Sequence, residues 1–316
     1  MNLHAAVDAY ISLKRSLGAV FRSDARVLRS FSKLVGDIAV GAIDPEVCRC
    51  FCRGTGPPTR WWERKYYALR AFFSFLVSRG HLEASPLPDA RPRILRSFEP
   101  YVYSRDELQR LLDATAILEN PRPLEHATFR TLLLVLYGAG LRPGEGLRLR
   151  CCDLDLNERI LAVWDTKFFK SRLVPIGTDL VTALTSYRKA RQRLPMSAGS
   201  QSALFASHTG KPISRARLDR IFVRLRAHAG IGRPPDARWQ PRLHDLRHAF
   251  AVHRLIAWYR EGADAQACLP LLATYLGHVN LCGTQAYLTM TPELLAEASN
   301  RFESYAGVGQ KGEHRG

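Results

Sequence analysis

The chain has 316 residues, more than one hydrophobic core usually holds, so we expect two domains. Its 46 Lys and Arg residues outnumber its 29 Asp and Glu residues, which gives a formal net charge of +17, and 38 of the basic residues are Arg. Residues 1–100 hold 16 basic and 9 acidic side chains, and residues 101–316 hold 30 and 20, so the excess is not confined to a tail. Charge spread in this way indicates a polyanion partner, with nucleic acid ahead of an anionic membrane.

The composition also argues against several classes of protein. No apolar run reaches the roughly 18 residues of a membrane span, and the first ten residues include Asp8 and lack the order of a signal peptide. Seven cysteines are an odd and sparse number for a disulfide framework. Cys48, Cys50 and Cys52 alternate with single residues, whereas paired zinc ligands are about two to four residues apart. We therefore expect a cytoplasmic protein without membrane association, metal or cofactor.

Residues 1–90 are predicted to form a helical domain. Apolar residues recur at helical spacing over residues 5–17 and again from Val27 to Ile38. A further helix over residues 60–77 carries many aromatic side chains with basic residues between them. The aromatic residues are expected to form the core of a small bundle, and the basic residues suit phosphate contacts. The predicted nucleic-acid contacts on this helix are Arg60, Arg64, Lys65 and Arg70.

Residues 91–103 are predicted to form a basic, proline-rich linker, because closely spaced prolines block helix formation. A capping box from Ser104 to Glu107 then begins a helix. The domain that starts there is expected to extend over residues 104–306, before a disordered, Gly-rich tail over residues 307–316. The linker residues predicted to contact nucleic acid are Arg91, Arg93 and Arg96.

The second domain is predicted to be mainly helical with a small β-sheet. The runs Ile160–Trp164 and Leu173–Ile176 are short and β-prone, and the residues between them are typical of a hairpin. The helical patterns of this domain lie over residues 131–141, 181–193, 215–228, 244–259 and 269–276, with a last helix after Pro292. The expected fold is therefore an all-α domain followed by a mixed, mostly helical domain.

Four segments of the second domain combine polar side chains with local rigidity. Arg142 precedes Pro143 at the start of a helix, where amide dipoles favour an anion. The hairpin tip over residues 166–172 is basic. His244 and Arg247 are three residues apart on a helix, so both can reach one phosphate.

The fourth segment is Leu276-Gly277-His278, which is followed by Tyr287 nine residues after the histidine. Taken singly, each segment also has an ordinary structural explanation: a solvated turn, an incidental His–Arg pair or a core tyrosine.

In this order and spacing, the four segments resemble the tyrosine recombinases, the phage-integrase family of site-specific recombinases. The resemblance implies a helical, SAM-like core-binding domain followed by a catalytic domain. It also implies DNA cleavage and rejoining through a 3′-phosphotyrosyl intermediate, without metal or ATP. The catalytic residues that it implies are Arg142, Lys167, His244, Arg247, His278 and Tyr287, with Glu145 in support.

The resemblance also implies a role for each catalytic residue. Arg142 and Arg247 hold the non-bridging phosphate oxygens, and His278 donates to the same phosphate. His244 accepts the proton of Tyr287, and Lys167 protonates the leaving 5′ oxygen. Asp245 and His248, which lie next to His244 and Arg247 in the sequence, are expected to have structural roles.

Three positions depart from the family pattern. Phe168-Phe169 replaces small or polar hairpin residues, so Lys170 stays open as the alternative catalytic lysine. Gly146 follows Glu145 where the family usually keeps a helix former. Cys282-Gly283 stands where a short polar stretch is usual. Arg172 is a predicted DNA contact, and so is Lys170 if Lys167 is the hairpin lysine.

The partners follow from the same resemblance. We expect a double-stranded recombination site as the substrate, and a homo-tetramer on two DNA duplexes that is a monomer or dimer when free. An apolar stripe after Tyr287 would pack on a neighbouring subunit or on its own chain, and both alternatives stay open. An accessory or partner recombinase stays open. When bound to DNA, the protein would be associated with the nucleoid. We expect it to be the recombinase of a mobile element. Two other functions stay open: a catalytically inactive DNA-binding relative and a topoisomerase-like strand-relaxing enzyme.

Overall fold

The computed structural model divides into two compact units, Met1–Phe98 and Glu99–Gly316. The division lies within residues 91–103, the predicted linker. Most of that segment falls outside the described residues, so its role as a linker stays a prediction. The structure describes residues 1–55, 59–87, 100–118, 123–164, 171–235, 237, 239–278, 282–285, 287, 296 and 299.

The first unit is a helical bundle. Its helices are α1 (Leu3–Ser16), α2 (Arg22–Val35), α3 (Pro45–Arg53) and α4 (Arg60–Ser78), with a 3₁₀ turn over Val40–Ala42. Thr59 begins α4 by accepting a hydrogen bond from the backbone N–H of Trp62. Apolar faces at helical spacing then meet in one core, where Phe31, Phe72 and Phe73 are fully buried. The predicted helical character of this region is confirmed.

Helix α3 lies within the predicted helical domain, in addition to the three helices whose apolar patterns are visible in the sequence. Asp44 accepts from the backbone N–H of Glu46, and Pro45 occupies the first turn, so a local capping signal begins the helix. Cys48 and Cys52, one turn apart, are buried against the core, whereas Cys50 is exposed. All three are free thiols, and burial raises the pKa of Cys48 to about 12, which is typical of inert core cysteines.

The second unit is mostly helical. Its helices are α5 (Arg105–Asp113), α6 (Pro123–Gly138), α7 (Pro143–Arg148), α8 (Thr178–Arg191), α9 (Arg215–His228), α10 (Asp245–Arg260), α11 (Ala265–Leu276) and α12 (Cys282–Gln285). Three strands form one antiparallel sheet in the order β1-β2-β3: β1 (Leu154–Asp155), β2 (Ile160–Val163) and β3 (Arg172–Pro175). The predicted small sheet is confirmed, with Val163 opposite Arg172. The hairpin tip over residues 165–170 is outside the described residues.

The core of the second unit lies around α6, which packs against α8 and α10. Helix α7 approaches α6 so closely that a Cβ at Gly146 would lie 2.9 Å from a Leu136 methyl carbon and 3.2 Å from one of Leu132. This close packing explains why glycine stands at position 146, where the family pattern usually keeps a helix former. It also fixes the start of α7, which carries part of the candidate site.

The helices are short in both units. The longest described helix, α4, has 19 residues and carries charged side chains between its aromatic ones. In the part of the chain that the structure describes, no helix is both long enough and apolar enough to cross a lipid bilayer. Across the same residues, no three His, Cys, Asp or Glu side chains lie together as metal ligands would.

Candidate active site

The N-terminus of α7 holds the first arginine of the site. The backbone N–H of Arg142 donates to Glu145 Oε2 at 3.0 Å, and its Nη1 donates to Oε1 at 2.7 Å. Pro143, in the first turn, suits this helix start because its backbone has no N–H to satisfy. The Arg142 side chain keeps 29% of its surface exposed, so it can still reach an anion from solvent.

Glu145 lies at the centre of a cluster of guanidinium groups. Its side chain is 2% exposed and accepts two hydrogen bonds from Arg172, at 3.3 and 2.8 Å, besides those from Arg142. Arg247 Nη1 lies 3.9 Å from the same carboxylate. Burial by itself would raise the pKa of Glu145, but the hydrogen bonds and charges of Arg172 and Arg142 outweigh it and lower the pKa to about 2. Glu145 is therefore a carboxylate at neutral pH that orients the arginines around it.

Arg247 joins three segments that are far apart in the sequence. It lies on α10 with a side chain 2% exposed, and its Nη1 donates to the carbonyl oxygen of Gly140 at 2.8 Å. Its Nη2 donates to the carbonyl oxygen of Leu276 at the end of α11. Burial, with the nearby charge of Arg142, lowers the pKa of Arg247 to about 9, so the group stays cationic at neutral pH.

Gly140 needs its missing side chain. Its φ of +57° is in the left-handed region, and a Cβ there would lie 2.6 Å from a ring carbon of Phe250. The turn before α7 can therefore lie against α10, which presents the Gly140 carbonyl to Arg247.

His278 follows directly on α11 and a turn at Gly277. Gly277 has a φ of +66°, and its carbonyl oxygen accepts a hydrogen bond from Arg142 Nη2 at 3.2 Å. His278 Nδ1 lies 2.7 Å from Thr284 Oγ1, which fixes the ring. Burial lowers the pKa of His278 to about 4, and the charges of Arg247 and Arg142 add to this effect. The imidazole is therefore neutral at pH 7.

Tyr287 is buried inside this arrangement, with 2% of its surface exposed. Its ring stacks at 6.1 Å on the ring of His278. Its hydroxyl lies 3.1 Å from Nδ1 of His248. Burial raises the pKa of Tyr287, while the charges of Arg247 and Arg142 act in the opposite direction. The predicted nucleophile thus lies beside both predicted phosphate-binding arginines.

The histidine that contacts Tyr287 is not the one expected from the motif. We expect His244 to accept the tyrosine proton and His248 to be a structural neighbour. In the structure, His244 precedes α10 and meets the ring of His248 edge-on at 5.0 Å, and His248 contacts Tyr287. The four-residue spacing of the two histidines, which puts them on one helix face, is the sequence signal for this pairing. The other expected neighbour, Asp245, accepts from the backbone N–H and the guanidinium of Arg242 at the start of α10.

Arg172 also differs from expectation. We expect a DNA contact, but its side chain is only 11% exposed, and its Nε donates to the carbonyl oxygen of Tyr275 at 2.9 Å. Its two Nη atoms bind Glu145. A Cβ at Gly277 would lie 3.0 Å from Arg172 Nη1, so the Gly277 turn leaves room for this side chain. These contacts position Glu145, and a contact of Arg172 with DNA stays a prediction.

The basic residues predicted on α4 divide into two kinds. Arg64 pairs with Asp24 on α2 at 2.8 Å, and Lys65 Nζ donates to the carbonyl oxygen of Phe51 at 2.7 Å, so both hold the bundle together. Arg60 and Arg70 are exposed on the helix. The remaining predicted site residues lie outside the described residues: Lys167, Lys170, Arg91, Arg93 and Arg96.

Known proteins share both the sequence pattern and the fold of this chain. The model of the phage integrase family matches residues 102–293. The y4rB protein of Sinorhizobium fredii, provisionally named an integrase/recombinase, is 34% identical over 308 residues, which cover 94% of this chain and 96% of that protein. Tyrosine recombinase XerC of Salmonella typhi is 32% identical over 300 residues, which cover 91% of this chain and 90% of that protein.

Solved structures agree on the fold. The Tn1549 transposon integrase, in complex with transposon right end DNA, matches with a TM-score of 0.71 at 16% identity, over 97% of this chain and 100% of that chain. A lambda integrase dimer bound to a core site matches with a TM-score of 0.64 at 17% identity, over 89% of this chain and 96% of that chain. The chain therefore belongs to the phage integrase family and is a tyrosine-type DNA recombinase.

Proposed function

We propose that this chain is an active site-specific recombinase that cleaves and rejoins double-stranded DNA through a 3′-phosphotyrosyl intermediate. The observation that carries the proposal is the meeting of Tyr287, Arg247, Arg142 and His278 around one position. A retained set of catalytic side chains favours an active enzyme over an inactive DNA-binding relative.

The scissile phosphate would be held by fixed positive charge. Arg142 is partly exposed and Arg247 is held rigidly by two carbonyl groups, so each can donate to a non-bridging oxygen without reorganising. In the tautomer whose Nδ1 accepts the hydrogen bond from Thr284, His278 would carry its proton on Nε2 and donate it to the same phosphate. These groups would stabilise the charge that builds up in the pentacoordinate transition state.

The reaction itself is an exchange of one phosphodiester for another. The Tyr287 oxygen would attack phosphorus, the bond to the 5′ oxygen would break, and Lys167 would protonate that oxygen. A histidine on or next to α10 would receive the tyrosine proton, a role for which the family motif names His244. Because the phosphotyrosyl ester conserves the bond energy, rejoining needs neither ATP nor a cofactor.

The DNA partner and the assembly are part of the same proposal. Structures similar in fold are DNA complexes: a lambda integrase dimer bound to a core site, and XerH bound to its difH substrate. We propose that residues 1–90 form a core-binding domain, that residues 104–306 form a catalytic domain, and that both contact the DNA. Four copies would act on two duplexes in the cytoplasm. The net charge of +17, to which both halves of the sequence contribute, supports DNA contacts by both domains.

Covalent capture tests the proposal. Nicked duplexes that become covalently attached to the wild-type protein are first selected from a randomised pool. The protein is denatured before the selection, because only covalently attached DNA is then retained. We expect a protein–DNA adduct with the wild-type chain and none with Tyr287→Phe, while DNA binding is kept. Tyr137→Phe is the matched control, since the Tyr137 hydroxyl also lies against a histidine, at 2.8 Å from His253 Nδ1, but away from the arginines. An adduct that persists in Tyr287→Phe would exclude Tyr287 as the nucleophile.

A further inference from the structure

Trp164, at the base of the β2–β3 hairpin, is tied to the body of the second unit by its side chain. It directly follows β2, and its indole Nε1 donates a hydrogen bond to Asp153 Oδ1 at 2.9 Å. The direction of this bond is unambiguous, because an indole N–H can only donate and an ionised carboxylate can only accept. Half of the Trp164 surface is exposed (50%), so filling the core does not explain why tryptophan stands here.

The acceptor, Asp153, is itself held rigidly. Its side chain is 4% exposed, and it accepts hydrogen bonds from the backbone N–H of Arg150 at 2.8 Å and from the Arg150 guanidinium at 2.8 and 3.1 Å. Burial by itself would raise the pKa of Asp153, but the hydrogen bonds from Arg150, together with that from Trp164, outweigh it and lower the pKa. Asp153 is therefore a fixed carboxylate at neutral pH, and the indole that donates to it is fixed as well.

The opposite strand of the hairpin is anchored in the same manner. Val163, the residue before Trp164, pairs with Arg172 at the start of β3. Arg172 in turn donates two hydrogen bonds to the carboxylate of Glu145. Both strands are therefore tied to a buried carboxylate at the base of the hairpin, one to Asp153 and the other to Glu145.

The two anchoring carboxylates border one cavity. This cavity, of about 180 Å³, is lined by Asp153 and Glu145 together with Trp164 and Arg150. Glu145 also binds the guanidinium of Arg142, one of the two candidate phosphate-binding groups. The base of the hairpin therefore lies next to the candidate active site.

The sequence places the predicted catalytic lysine close to this anchor. Lys167 is three residues after Trp164, and three residues of extended chain span at most about 11 Å. The ammonium of a lysine is carried on a flexible stem of four carbons, so its reach depends on where the backbone is held. A general acid must come within hydrogen-bond distance of the oxygen that it protonates. An anchor three residues away therefore limits the positions that the ammonium can adopt.

We propose that Trp164 is a positioning residue for protonation of the leaving group: its hydrogen bond to Asp153 fixes the strand from which Lys167 reaches the 5′ oxygen. This inference rests on the proposed recombinase function. In cleavage, the Tyr287 O–P bond forms, a histidine takes the tyrosine proton, and the bond from phosphorus to the 5′ oxygen breaks. A proton of the lysine ammonium moves to that oxygen. Trp164 takes no part in these bond changes and acts only through the lysine.

The first experiment compares single-turnover cleavage of a selected nicked duplex by the full-length protein and by Trp164→Phe. Phenylalanine keeps an aromatic ring but has no N–H to donate. We expect the rate to fall by about 10-fold or more, as displacement of a catalytic group causes, with DNA affinity unchanged. Trp61→Phe, which changes a tryptophan of equal exposure (51%) in the first unit, is the matched control and should cleave bound DNA at the wild-type rate. Weaker binding by Trp164→Phe with an unchanged cleavage rate would overturn the proposal, because it would make Trp164 a DNA contact.

A substrate with a 5′-bridging phosphorothiolate separates misplacement of the lysine from a general loss of structure. Its leaving sulfur departs without a proton, so the defects of Lys167→Ala and Trp164→Phe should both be relieved. The defect of Arg142→Ala, which acts on the non-bridging oxygens, should persist on this substrate. A Trp164→Phe defect that also persists would overturn the proposal, because a merely structural change slows the cleavage of both substrates.

A cycle of double variants makes the test specific to Lys167. Because Trp164 acts through that lysine, Trp164→Phe should not slow the Lys167→Ala variant any further. In the Lys170→Ala background, the defect of Trp164→Phe should be undiminished. Additive defects of Trp164→Phe and Lys167→Ala would overturn the inference but leave the recombinase function intact. Failure of the wild-type protein to form any tyrosine-dependent adduct would overturn the proposed function and the inference together.

Discussion

Arg172 and Glu145 are 27 residues apart in the sequence and are joined by two hydrogen bonds, Nη2–Oε2 at 2.8 Å and Nη1–Oε1 at 3.3 Å. Arg172 is itself fixed by the carbonyl oxygen of Tyr275, and Glu145 holds Arg142. Arg172, the first residue of β3, is therefore connected through the buried carboxylate of Glu145 to Arg142 at the start of α7. Any movement of the sheet edge would be transmitted to the candidate phosphate-binding group.

This connection predicts a catalytic defect in Arg172→Lys. A single ammonium cannot make the two parallel bonds of a guanidinium, so Glu145 and Arg142 would shift. We expect cleavage to fall by about 10- to 100-fold, as misplacement of a catalytic group by a fraction of an ångström can cause. DNA affinity, measured by fluorescence anisotropy, should be unchanged, and Arg148→Lys on the exposed side of α7 is the control. Weaker binding with an unchanged cleavage rate would instead support a DNA contact for Arg172.

The lowered pKa of Glu145 predicts that its carboxylate stabilises the fold in a pH-dependent way. Its pKa is about 2 in the folded protein against an ordinary value of 4.5, so the contribution is complete above about pH 4.5 and is lost as the pH falls towards 2. Glu145→Gln should therefore lower the free energy of unfolding at neutral pH by roughly 3 kcal/mol, and by less in acid. Urea unfolding at about pH 7, 5 and 3.5 measures the difference. Glu158→Gln, which changes an exposed carboxylate, is the control. If the difference in unfolding free energy between Glu145→Gln and the wild type does not shrink in acid, the charge-based explanation is contradicted.

Gly146 predicts a packing defect. In Gly146→Ala, the new Cβ would lie 2.9 Å from a Leu136 side-chain carbon, so either the buried Leu136 side chain or α7 would have to shift. Overpacking of this kind lowers the free energy of unfolding by about 1–3 kcal/mol, so we expect a lower melting temperature for Gly146→Ala. Gly144→Ala, on the same helix, meets only Arg148 Nη1 at 3.6 Å and should leave the melting temperature unchanged or slightly raised. Equal melting temperatures for the two variants would show that the α6–α7 contact tolerates a methyl group.

The hairpin lysines predict opposite phenotypes. If Lys167 protonates the 5′ oxygen, Lys167→Ala should lose cleavage of an ordinary duplex and keep its DNA affinity. Lys170→Ala should keep cleavage and bind DNA more weakly. Single-turnover cleavage and anisotropy measure the two effects, and an exchange of the two phenotypes would move the catalytic lysine three residues along the hairpin.

The positive charge predicts binding that depends steeply on salt. Each phosphate neutralised by the protein releases counterions, so the logarithm of the affinity should fall linearly with the logarithm of the salt concentration. Arg70→Ala should lower the slope by about one if Arg70, which is exposed on α4, contacts a phosphate. Arg49→Ala, whose guanidinium pairs with Glu46 on α3, provides the reference. A slope near zero for the wild type would contradict binding through DNA phosphates.

The sequence by itself determined the family, the mainly helical fold and the small sheet, because each depends on local patterns. Helical periodicity in α1 and α4, the Ser104–Glu107 capping box and the β-prone runs on either side of the hairpin involve residues a few positions apart. The order and spacing of the recombinase segments can likewise be seen without a structure.

Only the tertiary structure decided which side chains meet within the site. Arg247 and Gly140 are 107 residues apart, and their hydrogen bond forms only because α10 packs against the turn before α7. The same packing brings His248, rather than His244, against the hydroxyl of Tyr287. It also joins Arg172, a predicted DNA contact, to Glu145. Contacts of this kind depend on how helices far apart in the sequence fit together, and no local pattern of residues encodes that fit.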